Sequence, residues 1–329
     1  MSLLELKNVS KKFSDDFSID DVSFDIDEKG VYGFFAKGKS GKTMLATILC
    51  GACQIDEGAI LYKHQPLHAS AKQTAKIKKK IGYVPDACIF PADMTVSELL
   101  DFTGKAKGVN PDKRVRQIKE ALNLTGLSAK ADVVIGNLTI SEKKRMAYAN
   151  ALMGNPDVII VDEPLAVIDS AQRDEIKKLI EMLGKMKVVI LFAKSSNDIE
   201  ELCSYAGVLC DGELLAFEPI GELLARLNKT VNAVLRVRAK GVEISELIDA
   251  IGGIEQITSV KTTATSGIIT DLRLECLTKD GVTSDVSTAV ESFGAEVVSL
   301  RFSTLALSDV IEALSVQNDQ NDQNEKEED

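Results

Sequence analysis

The sequence predicts an α/β fold followed by a small α+β unit, on three observations. A Gly-Lys loop lies between a short apolar strand and a helix in "VYGFFAKGKSGKTM", Val31 to Met44. A second apolar strand, "DVIIVDEP", ends in two acids, Asp162 and Glu163. Beyond Pro219 the apolar pattern changes to strand, helix, two strands, helix, strand, the order of a ferredoxin-like unit.

The elements follow in order. "LLELKNVSKKF" and "FSIDDVSFDID" alternate apolar and polar residues, as antiparallel strands do. "GVYGFF" is a buried strand, and "KTMLATILCG" a helix closed by Gly51. "GAILY" and "KKIGYVP" are further strands, with "KIKKK" at Lys76–Lys80 read as a solvated segment before the second. From about 90 to 155 the pattern is helical, an inserted subdomain. Strands return at "DVIIVDEP", "KVVILFA" and "GVLCDGELLAF". The division expected is 1–220 for the first domain and 221–315 for an α+β domain. Residues 316–329 form a polar tail of six acids and one Lys, expected to be disordered.

A chain of 329 residues, 45% hydrophobic and 27% charged, is long enough for two cores. No apolar run reaches the length of a membrane span, and no leader segment is visible. The expected location is the cytoplasm. A net charge of −11 argues against nucleic acid as a partner. Cys50 and Cys53 form a C-x-x-C without a second pair, so structural thiols are expected rather than zinc ligands.

The loop Ala36, Lys37, Gly38, Lys39, Ser40, Gly41, Lys42, Thr43 fits a phosphate cradle, with Ala36 where the first Gly usually stands. Backbone N–H groups through Met44, at the start of the helix, would face phosphate oxygens. Lys42 should reach the β- and γ-phosphates and Thr43 should hold Mg²⁺. Ala36 fits only with negative φ. Asp162 is placed to hold the Mg²⁺ shell and Glu163 to polarise an attacking water. The alternatives are a lysine-rich surface turn and ordinary acids at a strand end. Two such motifs on their proper strands make the pair stronger than either alone.

With "IGYVPD" at 81–86, "NLTISEKKR" at 137–145, "VDEP" at 161–164 and "AVID" ending at Asp169, the chain resembles the ATP-binding subunits of ABC transporters over about residues 1–220. "PADMTVSELLDF" and the C-terminal extension look most like the ABC-2 class of drug, polysaccharide and lipid exporters. The resemblance implies a RecA-like core binding ATP and Mg²⁺, separate integral membrane permease subunits, and a second ATP-binding subunit, the same chain or another. It implies a peripheral position on the cytoplasmic face of the membrane. It assigns Phe13 to adenine, Asp86 to Mg²⁺ or water, and Asp169 to communication across the dimer. "PADMTVSELL" should lie against a permease helix, with Val96 and Glu98 towards it.

The departures concern turnover. The family signature LSGGQ is here Leu138, Thr139, Ile140, Ser141, Glu142. Thr139 keeps a hydroxyl, Ser141 is counted with it at the partner's nucleotide, Ile140 obstructs the approach to the γ-phosphate, and Glu142 brings a charge of unfavourable sign. The switch histidine is replaced by Lys194, a donor without an acceptor. The expectation is an ATP-binding subunit with weak hydrolysis, Glu163 its base. Three alternatives remain: a full ATPase, a non-catalytic regulatory subunit, and a soluble ATPase acting on DNA or ribosomes.

Overall fold

The computed structural model describes residues 2–14, 17–36, 40–166, 168, 170–227, 231–303, 307, 310 and 314. The chain divides into two compact units, the first covering Met1–Ile220 and the second Gly221–Ala313.

The first unit begins with β1 (Leu4–Ser14) and β2 (Phe17–Ile26), antiparallel to each other. Then come β3 (Gly30–Ala36), α1 (Lys42–Leu49), β4 (Glu57–Tyr62) and the two-residue β5 (Gln65–Pro66). One antiparallel sheet has the order β2-β1-β4-β5. Val9, Ile19 and Val22 are fully buried beneath it.

Lys76, Lys78, Lys79 and Lys80 are exposed ahead of a strand, as expected of a solvated segment, but the run enters from a helix that the sequence reading did not include, α2 (Ala71–Lys78). Ser70 caps it, accepting the Gln73 N–H at 3.2 Å, and only Ile77 is buried. One apolar residue in two turns gives too weak a periodicity to read. Strand β6 (Ile81–Val84) follows.

Three helices make the inserted subdomain: α3 (Val96–Ala106), α4 (Pro111–Leu124) and α5 (Ile140–Leu152). Each start is chemically marked. Thr95 and Glu98 form a capping box at α3, Asn110 precedes a proline at the first turn of α4, and Thr139 and Glu142 form a second capping box. The expected permease-facing pair is corrected here. Val96 is 0% exposed, and the Glu98 carboxylate accepts the Thr95 N–H at 2.8 Å. Val96 is core, whereas Glu98 caps the helix and stays exposed. The end of α5 lies against β6, where a Cβ on Gly82 would stand 2.5 Å from the Ala151 carbonyl oxygen. A side chain there would force the helix off the sheet.

The chain then forms β7 (Val158–Asp162), α6 (Ser170–Gly184), β8 (Val188–Ala193), α7 (Ser196–Leu202), β9 (Tyr205–Cys210) and β10 (Glu213–Pro219). The central sheet has the order β10-β9-β3-β8-β7-β6, parallel except for β10. Every residue of β7 and β8 is buried. Such unbroken apolar strands require cover on both faces, which fixes them in the middle of an α/β sandwich. Each large apolar side chain so buried contributes about 1.5–3 kcal/mol. The carboxyl ends of β3 and β7 therefore lie side by side with only β8 between them, and loops leave from there.

Helix α8 (Ile220–Leu227) starts at the last residue of the first unit and leads into the second, which contains β11 (Val231–Arg238), α9 (Ile244–Gly252), β12 (Ile257–Ser266), β13 (Ile269–Cys276), α10 (Val282–Ser292) and β14 (Glu296–Ser303). Its sheet is antiparallel throughout, in the order β12-β13-β11-β14. That is the ferredoxin-like arrangement. Leu235, Leu272 and Leu274 meet Leu247, Ile251 and Val286 of the helices in a core of its own.

Candidate nucleotide site

The site is a cleft of about 1140 Å³ at the carboxyl ends of the central strands. Strand β3 delivers the phosphate loop, and Ala36 is its last residue, 4% exposed and without positive φ. The missing first glycine is therefore tolerated, because this position is ordinary strand. Lys37, Gly38 and Lys39 lie outside the described residues. Gly41 caps α1 with φ +89°, and a Cβ there would stand 2.5 Å from the Ile19 side chain. Only glycine meets both conditions.

Lys42, Thr43, Met44 and Ser40 line the cleft together with Asp86, Glu163 and Lys194. Lys42 is 6% exposed, and its Nζ donates to the Ala36 carbonyl at 3.4 Å. Burial holds its ammonium below the usual lysine range, against the pull of Glu163 and Asp162 and with a further push from Lys194. Asp162 is 1% exposed. Burial raises its carboxyl, opposed by a hydrogen bond from Thr43 and by the charges of Lys144 and Lys42. Its Oδ1 is buried without a hydrogen-bond partner. An orphaned carboxylate oxygen beside the Thr43 hydroxyl suits a hard cation. Mg²⁺ takes one or two carboxylates plus phosphate rather than a full protein cage. Asp86 lies within electrostatic range of Asp162.

Glu163 follows with φ 48°, a left-handed conformation costly for a side chain bearing a Cβ. Its N–H donates to the Phe192 carbonyl at 2.8 Å, which holds the turn. Burial raises its carboxyl. A raised carboxylate is a better proton acceptor near neutrality. Its Oε2 accepts the backbone N–H of Lys194 at 3.4 Å. Thus Lys194 approaches Glu163 through its main chain as well as its charge. His64 is not a substitute; it pairs with Glu5 at 2.8 Å.

Two expectations shift. Phe13 and Phe17, 6.4 Å apart between ring centroids, both pack against the core, but Phe17 rather than Phe13 lines the cleft. Strand β1 has three register irregularities against β2, so its side-chain parity cannot be counted from the sequence. Lys12 and Asp20, also at the cleft, were missed for the same reason. At α5, Ile140 stands 63% exposed, as an obstruction would. Ser141, however, is 7% exposed and its Oγ is sealed without a partner, so it is turned inward rather than offered to a second nucleotide. Glu142 is tied down too. It accepts the Thr139 N–H at 2.9 Å and pairs with Lys130 at 3.0 Å. Its charge is spent within the chain rather than directed outward. Asp169 lies outside the described residues.

Residues 19–166 match the family model described as ABC transporter. The linearmycin resistance ATP-binding protein LnrL of Bacillus subtilis is 25% identical over 75% of this chain and 78% of its own length. The bacitracin transport ATP-binding protein BcrA of Bacillus licheniformis is 26% identical over 74% and 79%. Among solved structures, the dimeric post-hydrolysis state of the ATP-binding cassette MJ0796 bound to ADP and Pi superposes with a TM-score of 0.60. It is 23% identical and covers 66% of this chain and 98% of that one, a likeness of fold. The first unit thus carries an ABC transporter ATP-binding domain. The chain as a whole is similar to ATP-binding subunits of ABC transporters.

Proposed function

We propose that the chain binds Mg-ATP in this cleft, pairs with a second ATP-binding subunit, and drives an exporter-type permease with slow turnover. One observation supports this above all: Lys42, Thr43 and Glu163 line one cleft, and Asp162, hydrogen-bonded by Thr43, keeps its buried Oδ1 unpaired. Lys42 and the α1 N-terminus would hold the phosphates, and Thr43 and Asp162 would hold the cation. Mg²⁺ bound there would neutralise charge on the β- and γ-phosphates. Glu163 would accept a proton from the attacking water. Phe17 would lie against the base. The exporter assignment draws on LnrL, a resistance protein by name, and on the segment following "IGYVPD".

Among the described residues no helix is long and apolar enough to cross a membrane. The membrane step therefore falls to permease partners, against the cytoplasmic face. Slow turnover rests on Lys194, which cannot accept a hydrogen bond, and on the obstructed segment at Ile140. The second reading, a subunit that responds to occupancy alone, has the same support and differs in Glu163.

The deciding experiment is the ATPase rate of the complex purified with its permease, with and without Glu163→Gln. A slow rate abolished by the substitution supports the first reading. A rate that Glu163→Gln leaves unchanged places catalysis in the partner and supports the second. A fast rate abolished by Glu163→Gln refutes slow turnover. Absence of ATP binding to wild type refutes both.

A further inference from the structure

Helix α5 carries a lysine that does not behave as a surface charge. Lys144 is 3% exposed. Its Nζ donates to the carbonyl of Pro85 at 3.1 Å and to the carbonyl of Asp162 at 3.2 Å. Pro85 immediately precedes Asp86, and Asp162 immediately precedes Glu163. One ammonium thus joins three segments distant in sequence: the helix that begins at Ile140, the loop at Asp86 and the end of β7.

A buried ammonium is retained only where its protons are satisfied and its charge is balanced. The two carbonyls supply acceptors. Burial holds the ammonium below the usual lysine range, while Cys88, Asp86, Asp162 and Glu163 act in the other direction. Lys144 does not itself line the cleft, whereas Asp86 and Glu163 do.

The geometry points to Lys144 as a positioning residue for the cation subsite: its two hydrogen bonds fix the main chain at Pro85 and Asp162, beside Asp86 and Glu163, so that nucleotide binds with its Mg²⁺. This inference rests on the nucleotide reading of the cleft. It also makes α5 sense the state of that subsite, because the same ammonium is rooted in the helix whose first turn is the altered signature segment.

The test uses the full chain and measures ATP affinity with and without Mg²⁺, so that the readout is the gain Mg²⁺ brings. Lys144→Met should reduce that gain by about tenfold, the scale of one charge-assisted contact, and change Mg²⁺-free affinity little. Lys144→Arg should restore most of the gain. A merely structural lysine would lower both affinities together. An unchanged gain in folded Lys144→Met, or failure of Lys144→Arg to restore it, overturns the inference. Should Lys144→Met not fold, Lys144→Gln, whose shorter side chain cannot reach both carbonyls, is measured in the same way; an unchanged gain there also overturns it. Wild type without ATP affinity removes the nucleotide reading as well, whereas ATP affinity with an unaltered gain removes this inference alone.

Discussion

Thr139 and Glu142 hold each other: the Thr139 Oγ1 accepts the Glu142 N–H at 3.2 Å, and the Glu142 carboxylate accepts the Thr139 N–H at 2.9 Å. The altered signature is therefore a well-formed helix start, whatever its effect on a partner's nucleotide.

Glu142→Ala should lower stability by about 1 kcal/mol, the usual worth of a lost cap. Glu142→Gln should cost less, because an amide can still close the box and only the ion pair with Lys130 is lost. Denaturant midpoints of the two variants check the order. Equal losses would show that the ion pair, not the box, carries the effect.

Lys42→Ala should weaken ATP binding by about 10- to 100-fold, the range of a charged hydrogen bond removed from its acceptor. Fold stability should not fall with it, since the buried ammonium is held at some desolvation cost. Direct titration with ATP, beside a thermal melt, separates the two. In the same assay Phe17→Ala should reduce affinity more than Phe13→Ala. The reverse order would return the adenine to Phe13.

Lys107 gives a pH-dependent test remote from the nucleotide. Burial pushes its ammonium down to about 8 from an ordinary value of 10.5, and its Nζ donates to the carbonyls of Ile81, at 3.3 Å, and Ala151, at 3.5 Å. The unfolded chain holds this proton more firmly than the folded one between those values. Stability should therefore rise as pH climbs from about 8 towards 10.5, and the penalty should be complete below 8. Lys107→Met should stabilise the chain at pH 7 by about 1–2 kcal/mol, less than the full linkage value because the side chain is partly exposed. The difference should shrink at pH 10.5. Urea unfolding at both pH values measures it, and a variant less stable than wild type at pH 7 would refute it.

Ile89, 86% exposed, and Phe102, 61% exposed, replace Val96 and Glu98 as the residues to test for permease docking. Replacing both by Glu should prevent co-purification of the permease while ATP binding to the isolated chain stays intact. Undiminished recovery of the complex would exclude them from the docking face.

Much of the fold was legible because its signals are local. The Gly-Lys loop between strand and helix, the apolar run ending at Asp162 and Glu163, and the strand–helix order after Pro219 each fit within about a dozen residues per element. What was not legible depends on tertiary contacts. Irregularities in β1 exchanged Phe13 for Phe17 at the cleft. Helix α2 buries a single apolar residue. Val96 and Glu98 took opposite structural duties inside one turn of helix. Lys144 sits in the run "SEKKR", which reads as a solvated face; only the packing of α5 on the loop at Pro85 turns it inward.

The bond from Lys42 to the Ala36 carbonyl has a consequence for affinity. Phosphate does not meet a cation waiting in solvent; it competes with a main-chain oxygen already engaged. Binding is then an exchange of acceptors, neutral for charged, with the gain set by the difference between them. Ligands should rank by the charge they bring within reach of Nζ: triphosphate above diphosphate, and diphosphate above monophosphate. A nucleoside alone, unable to win the exchange, should leave the lysine where it is.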